Sequence, residues 1–165
     1  MKKLAMLLIL LTIVLFTAGC TGETSNSSNA QGSQERIPVE EINNLEQINE
    51  SLKTGPVFLK IGASYCGPCR EMQPMLEELA AQYEGKVTVL SADIDNENST
   101  DLASYFDIGY VPDSSIIIGI ENGEYVYMQE DGNISKDRMK ARILGLREKS
   151  VYENTLNHAI LQNEK

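Results

Sequence analysis

Two cysteines separated by two residues constrain this chain more than any other feature of its sequence. Cys66 and Cys69 enclose Gly67 and Pro68, and the motif lies between the apolar run 57–61 and a segment with helical spacing. Cys66 is therefore predicted at a strand-to-helix turn, where the helix dipole and free N–H groups favour a thiolate and lower the pKa of the thiol. Pro68 falls within the first helical turn, which tolerates proline. Cys69, three residues further on, can then close a disulfide with Cys66 across that turn.

The segment from Tyr65 to Cys69 resembles the Trp-Cys-Gly-Pro-Cys active site of thioredoxins, and a Val111-Pro112 pair downstream strengthens the resemblance. A metal site and an inert structural disulfide are the alternatives for such a cysteine pair. A metal site needs about four ligands, whereas the chain has one further cysteine, Cys20, and one histidine, His158. The redox interpretation is therefore favoured.

The N-terminal part of the chain has the composition of a targeting segment rather than of a folded domain. Two lysines precede an apolar run from Leu4 to Phe16, which ends in Thr17-Ala18-Gly19-Cys20. This pattern resembles a lipoprotein signal, in which cleavage precedes the cysteine and its sulfur carries a lipid. An ordinary cleaved signal and an uncleaved anchor are the alternatives. We expect a signal peptide over 1–19, and a lipidated Cys20 followed by a flexible polar linker over 20–36.

The lipoprotein pattern implies a protein outside the cytoplasm, anchored to the cell membrane. The formal net charge of the chain is −10, from 14 basic and 24 acidic residues. Such an acidic surface repels nucleic acid and anionic lipid head groups, which argues against either as a binding partner. We interpret these charges as a solvated surface that keeps the domain soluble.

Residues 37–149 are predicted to form one α/β domain whose element order resembles the thioredoxin fold, a mixed central sheet of four or five strands flanked by helices. The predicted strands, which are short apolar or alternating runs, are 37–42, 57–61, 87–92, 116–120 and 125–129. The predicted helices have apolar residues at spacings of three and four: Leu45, Ile48 and Leu52; Met72 to Tyr83, with Pro74 inside; Leu102, Ala103 and Phe106; and Met139, Ile143 and Leu146 after a Ser135 cap.

Residues 150–165 extend beyond the predicted domain. They carry apolar residues at intervals of four, namely Tyr152, Leu156 and Ile160. We expect an extra C-terminal helix that packs on the domain, with partner binding as the alternative, and we expect the histidine within it to be exposed and without a role.

Asp93 and Asp95 flank Ile94 as two carboxylates, and a strand end that runs into a helix cap explains them better than a metal site.

The resemblance to thioredoxins assigns roles to the motif residues. It implies that Cys66 is the attacking thiolate and Cys69 the resolving thiol, so that a mixed disulfide with the substrate forms on Cys66 and is displaced by Cys69. It also implies that Pro112 takes the position of the family's cis-proline. The implied substrate surface comprises Tyr65, Gly67, Pro68, Tyr110, Val111 and Pro112. Gly132 is the candidate for the glycine loop that completes this surface in the family.

Lys60 and Asp113 depart from the thioredoxin pattern. Lys60 stands six residues before Cys66, where thioredoxins usually have a buried aspartate that relays protons to the resolving thiol. Three interpretations remain: a desolvated lysine that acts as a base, a charged lysine that stabilises the thiolate, and a lysine that reaches solvent and has no role. Asp113 follows the predicted cis-proline, where a carboxylate near Cys66 would raise the pKa of its thiol unless it points to solvent. Lys60 and Asp113 are also a candidate charge pair.

The sequence therefore predicts a membrane-tethered, monomeric thiol–disulfide oxidoreductase that reduces protein disulfides outside the cytoplasm. It should need no metal and no cofactor beyond its own dithiol. Gly-Pro between the cysteines favours a reduction potential near the roughly −270 mV of thioredoxin rather than the roughly −120 mV of a periplasmic oxidant. The implied partners are disulfide-bearing proteins and a membrane electron donor of the thiol-shuttle type. The alternatives are a disulfide oxidant or isomerase and a non-catalytic binding module with a thioredoxin fold.

Overall fold

The computed structural model describes residues 36–164. Along this range the elements are β1 (Glu40–Glu41), α1 (Leu45–Ser51), β2 (Val57–Gly62), α2 (Gly67–Gln82), β3 (Thr88–Asp93), a 3-10 turn (Glu97–Ser99), α3 (Thr100–Tyr105), β4 (Asp113–Glu121), β5 (Glu124–Met128), β6 (Ile134–Ser135), α4 (Arg138–Ala141), β7 (Ile143–Leu144) and α5 (Lys149–Asn163). The predicted signal peptide, Cys20 and all but the last residue of the predicted linker lie outside the described residues.

One mixed sheet of seven strands forms the centre of the described domain. The strand order is β1-β3-β2-β4-β5-β6, and β7 pairs with the start of β4. Strands β1 and β2 run parallel to β3, whereas β4 runs antiparallel to β2, β5 and β7. The predicted thioredoxin-type sheet flanked by helices is confirmed. Its strand number exceeds the predicted four or five because β6 and β7 add two short pairings, and the strand predicted over 37–42 is reduced to β1.

Each face of the sheet carries its own apolar cluster. Strand β2 contributes to both clusters and is therefore buried along its whole length. Leu59 and Ile61 belong to one cluster, together with Phe106 of the segment after α3. Phe58 belongs to the other, together with apolar side chains of α2 and α5. Successive residues of a strand point to opposite faces, so Lys60 follows Phe58 onto the face that α2 covers.

Helix α2 forms as predicted around its internal Pro74. The buried side chains of α2, at helical spacing, are Cys69, Met72, Leu76 and Leu79. Helix α5 packs on the same face, as expected for the C-terminal helix. Tyr152 of α5 is fully buried and its ring stacks on Phe58 with the centroids 5.3 Å apart. No helix within residues 36–164 is both long and apolar enough to cross a bilayer.

The helix predicted after Ser135 is wrong. Ser135 lies in strand β6, and the only helix before α5 in this part of the described chain is α4, four residues long and capped by Asp137. Ile143 is buried in strand β7, where it pairs with Ser114, while Met139 is 50% exposed. The spacing of the apolar residues suggested a helix, but the long-range pairing of this segment with β4 decides its structure.

Candidate active site

The two motif cysteines lie at the junction of β2 and α2. Cys66 has extended backbone angles and is the N-cap of α2, and its Sγ accepts a hydrogen bond of 3.1 Å from the backbone N–H of Cys69. The two sulfurs form a disulfide with a Cα–Cα distance of 5.2 Å. When the pair is reduced, this N–H and the helix dipole favour a negative charge on the Cys66 sulfur.

Three chain segments meet at this junction because of the strand order. Gly62 at the end of β2 pairs with Asp93 at the end of β3, and Ile61 pairs with Asp113 at the start of β4. The residues that follow β2 and β3 and those that precede β4 therefore lie at one edge of the sheet. This edge is where open α/β sheets place their sites.

The segment before Cys66 is held by Asp95, a residue whose role the sequence analysis missed. The Asp95 carboxylate accepts hydrogen bonds from the backbone N–H and the hydroxyl of Ser64, at 2.9 and 2.6 Å. The Arg70 side chain donates to the backbone carbonyl of Ser64 at 2.8 Å. The helix cap predicted from the aspartates is provided instead by Asn96, which caps the 3-10 turn. The signal for Asp95 was its position just beyond the end of a strand parallel to β2.

The peptide bond between Val111 and Pro112 is cis, as the resemblance implied. Val111 packs against the cluster formed by Ala63 and the two cysteines. Two aromatic side chains of the predicted substrate surface are open to solvent, since Tyr65 is 71% and Tyr110 is 75% exposed. Gly67, Pro68 and Pro112 complete the predicted set; Pro68 is exposed, Gly67 is half-buried and Pro112 is buried.

The glycine that lies beside Pro112 is Gly145, not the predicted Gly132. The backbone N–H of Gly145 donates to the Pro112 carbonyl at 2.8 Å, and Gly145 has a φ of +74°, which favours glycine. Gly132 instead lies against α5, where a Cβ at its position would be 3.0 Å from Nδ1 of His158. The prediction failed because the segment between β5 and α5 returns to β4 through β7 before it reaches the site.

Asp113 forms a buried ion pair away from Lys60. Its carboxylate is 0% exposed and lies 2.5 Å from the guanidinium of Arg138 and 3.6 Å from that of Arg142. Burial raises the pKa of Asp113 above its ordinary value of 3.8, against the lowering effect of both arginines. The predicted charge pair with Lys60 is wrong, because Asp113 pairs with Ile61 and Lys60 with Ser114, so the two side chains leave opposite faces of the sheet.

Lys60 is buried beside the resolving cysteine. The residue is 8% exposed, and its Nζ donates to the hydroxyl of Ser91 at 3.3 Å. A Cβ on Gly62 would lie 2.6 Å from that Nζ and 3.2 Å from Sγ of Cys69, so a side chain at this position would displace the lysine end from its place beside the sulfur. Burial lowers the pKa of Lys60 below its ordinary 10.5, while the negative charges of Asp93 and Glu41 oppose that shift.

Cys66 is the activated thiol of this arrangement. Cys69 is positioned to displace a substrate sulfur that has formed a disulfide with Cys66. A cleft lined by Lys60, Cys69, Arg70 and Asp93 gives water access to the amine and to the second sulfur. The chemistry that this geometry supports is thiol–disulfide exchange through a mixed disulfide.

Comparisons with known proteins agree with this geometry. The family model for thioredoxin matches residues 38–144. The thioredoxin of Staphylococcus haemolyticus is 36% identical over 78 residues, which are 47% of this chain and 70% of that protein. The thioredoxin of Staphylococcus aureus is 38% identical over 64 residues, or 39% of this chain and 60% of that protein.

Solved structures of thioredoxins share the fold. Chloroplastic thioredoxin z superposes with a TM-score of 0.56 at 22% identity, covering 74% of this chain and 95% of its own. Mitochondrial thioredoxin 3 of Saccharomyces cerevisiae, in its oxidised form, gives a TM-score of 0.52 at 22% identity and covers 72% of this chain and 93% of its own.

Proposed function

Since this chain belongs to the thioredoxin family and is a thiol–disulfide oxidoreductase, we propose that it is a membrane-tethered reductase of protein disulfides outside the cytoplasm. The observation that carries the exchange chemistry is the position of Cys66 at the start of α2, where its sulfur accepts the N–H of Cys69, and Gly67-Pro68 between the cysteines supports the reducing direction. A thiolate stabilised there attacks one sulfur of a substrate disulfide and forms a mixed disulfide. Cys69 then attacks Cys66, so that two electrons pass to the substrate and the protein is left with its own disulfide.

The substrate class is a protein with an accessible disulfide. Tyr65 and Tyr110 offer exposed aromatic surface on the segments next to Cys66 and Pro112. Aromatic side chains supply large contact areas at low entropic cost, which suits binding of varied polypeptide segments. The protein acts as a monomer and needs no cofactor beyond the dithiol.

The proposed location rests on the sequence of residues 1–20. The apolar run after two lysines and the Cys20 that ends it support export and lipidation. A reductant outside the cytoplasm must be reduced again after each turnover. We therefore propose a membrane thiol shuttle as its electron donor, with the Cys66–Cys69 disulfide as the acceptor.

Turnover in a protein-disulfide reduction assay tests the reductase proposal. The full chain should reduce insulin at the expense of a dithiol. Cys66→Ser should abolish turnover, whereas Cys69→Ser should form a mixed disulfide that is not resolved. Wild-type turnover no faster than that of Cys66→Ser would contradict the proposal and favour a binding module.

Cell fractionation tests the proposed tether. The wild-type protein should be found with membranes and be degraded by protease added outside intact cells. Cys20→Ser should lose lipid incorporation and membrane attachment. A wild-type protein found in the soluble cytoplasmic fraction would contradict the proposed location.

One observation favours a second candidate, a disulfide oxidant. The Lys60 amine lies next to Cys69, and a cation near thiolates stabilises the reduced state and raises the reduction potential. The initial rate of oxidation of a reduced protein by the disulfide form, compared with the rate of insulin reduction by the dithiol form, distinguishes the two directions.

A further inference from the structure

The site contains a buried amine, that of Lys60. The attack of Cys66 on a substrate disulfide assigns no role to this amine. Lys60 belongs to the central strand β2, every residue of which is buried, so the backbone that carries it is held in place. Its Nζ and the Cys69 sulfur both lie next to the position of the missing Gly62 side chain. Cys69 itself is 3% exposed, and burial by itself raises the pKa of a thiol.

The groups around the amine leave its charge available to the sulfur. Its hydrogen-bond partner within residues 36–164 is the neutral hydroxyl of Ser91. The charged groups that face the same cleft are Arg70 of α2, Asp93 of β3 and Glu41 of β1. The two carboxylates oppose the effect of burial on the pKa of Lys60 and so favour its ammonium form.

We propose that the Lys60 ammonium stabilises the Cys69 thiolate and thereby accelerates the resolving half of the exchange. The inference rests on the proposed reductase function, because the resolving step follows attack of Cys66 on a substrate. Lys60 acts through its charge on Cys69 and makes no bond to the substrate.

The resolving step starts from the mixed disulfide between Cys66 and a substrate sulfur. The Cys69 thiol gives its proton to water in the cleft, and the resulting thiolate is held beside the ammonium. Its sulfur attacks Sγ of Cys66, so the Cys66–Cys69 bond forms and the bond to the substrate breaks. The substrate sulfur leaves as a thiolate and takes a proton from water. The two cysteines are oxidised and the substrate is reduced by two electrons.

The size of the effect follows from the charge. An opposite charge within about 4–6 Å lowers an acidic pKa by roughly one to three units. Loss of the Lys60 charge should therefore reduce the thiolate fraction of Cys69 at neutral pH by about tenfold or more. The resolving rate should fall by a similar factor, less the part offset by the greater nucleophilicity of a more basic thiolate.

Reaction of the reduced Cys20→Ser chain, whose thiols are Cys66 and Cys69, with dithiobis-nitrobenzoate in a stopped-flow instrument separates the two halves of the exchange. The first release of nitrothiobenzoate reports attack by Cys66 and the second reports resolution by Cys69. Lys60→Met should slow the second phase several-fold to tenfold at neutral pH, and the deficit should shrink as the pH rises. Lys60→Arg should retain the fast second phase. Lys53→Met, at a lysine whose side chain is 67% exposed, is the matched control and should leave both phases unchanged.

The outcomes distinguish this inference from the function on which it rests. A second phase in Lys60→Met as fast as in the wild type overturns the Lys60 role and leaves the reductase intact. A deficit that is the same at every pH, or a Lys60→Arg variant as slow as Lys60→Met, overturns it too, because each indicates a packing role. Failure of the wild type to give a first phase overturns the proposed function itself.

A second measurement keeps the inference testable if Lys60→Met does not fold. In the chain that carries both Cys20→Ser and Cys66→Ser, Cys69 is the single remaining thiol, and its pKa is read from the pH dependence of alkylation. Adding Lys60→Gln should raise that pKa and lower the alkylation rate at neutral pH by several-fold or more. An unchanged pH profile would overturn the proposed effect of the charge.

Discussion

Lys60 is a charged residue on a strand whose other side chains are apolar. Its sequence position identified it as a departure from the family and left three interpretations open, and the structure shows that the residue is buried. Its side chain does not extend out into solvent, because the residue is 8% exposed and its amine lies beside Cys69, where the cleft reaches it. Sequence reasoning had no means to see this placement, since it depends on how β2 and α2 pack.

We predict that Lys60→Met stabilises the disulfide form of the protein. The buried ammonium has one neutral hydrogen-bond partner, and replacing an incompletely satisfied buried group should add about 1 kcal/mol to the free energy of unfolding. Since the pKa of Lys60 is lowered in the folded state, the unfolded state binds more protons than the folded state as the pH approaches 10.5. The stability of the wild type should therefore rise in that range and the advantage of Lys60→Met should shrink.

Urea denaturation of both oxidised proteins at neutral pH and near pH 10 measures this difference. Equal stabilities at neutral pH, or an advantage of Lys60→Met that grows with pH, would contradict the assignment of a buried cation.

Asp95 provides a second prediction at the level of single residues. Asp95→Ala removes both hydrogen bonds to Ser64, which should cost about 0.5–1.5 kcal/mol of stability and loosen the turn before Cys66. The rate of insulin reduction should fall because the Cys66 sulfur is held less firmly at the helix start. Glu84→Ala, at an exposed carboxylate beyond the other end of α2, should change neither quantity, and an unimpaired Asp95→Ala would show that the turn holds its shape without the carboxylate.

Elements of the fold divide into those fixed locally and those fixed by distant partners. Helix α2 and strands β2 to β5 were predictable because apolar spacing, turn residues and the motif agree there. The segment 129–148 was not, because Arg138 and Arg142 turn toward the buried Asp113 and Ile143 pairs with β4. Those contacts join residues about 25 to 30 positions apart in the sequence. No local sequence pattern predicts them.

The ion pair between Arg138 and Asp113 should anchor α4 to the start of β4. Arg138→Met leaves the buried carboxylate with the more distant Arg142, and breaking a buried pair costs about 3–5 kcal/mol. The loss of Arg138 should raise the pKa of Asp113 further, so the folded state binds a proton more readily than the unfolded state. The destabilisation should therefore be largest at neutral pH and diminish as the pH falls through that raised pKa.

Urea midpoints as a function of pH test this expectation. Adding Asp113→Leu to Arg138→Met removes the unpaired charge and should recover part of the lost stability. A single variant with wild-type stability would mean that the pair contributes nothing to the attachment of α4.

Helix α5 should be an integral part of the domain. Tyr152 is 0% exposed, stacks on Phe58 and donates from its hydroxyl to the Gly145 carbonyl. Tyr152→Ala should therefore cost about 3–5 kcal/mol and disturb the loop that contacts Pro112. Leu161→Ala, on the same helix but 60% exposed, should be nearly neutral, and thermal unfolding of the two variants compares them directly. Equal melting temperatures would show that α5 is only loosely attached.

At the scale of the whole molecule, the sheet order brings the functional residues together. Cys66 follows β2, Asp95 follows β3, and Pro112 precedes β4, and the pairing of these strands places all three at one edge. The family, the fold and the roles of the two cysteines were predictable from the sequence because the short motif over 66–69 identifies the family. The proposed tether would hold this site at a membrane. The Cys66–Cys69 disulfide that forms in each turnover must be reduced again there.

The reduction potential of the Cys66–Cys69 pair tests the central claim most directly. The full chain would be equilibrated with defined ratios of reduced and oxidised dithiol, and the fraction of disulfide read from trapped thiols. A reductase with this motif should give a value near the roughly −270 mV of thioredoxin, while a value close to the roughly −120 mV of a strong oxidant would contradict the proposed direction of electron flow.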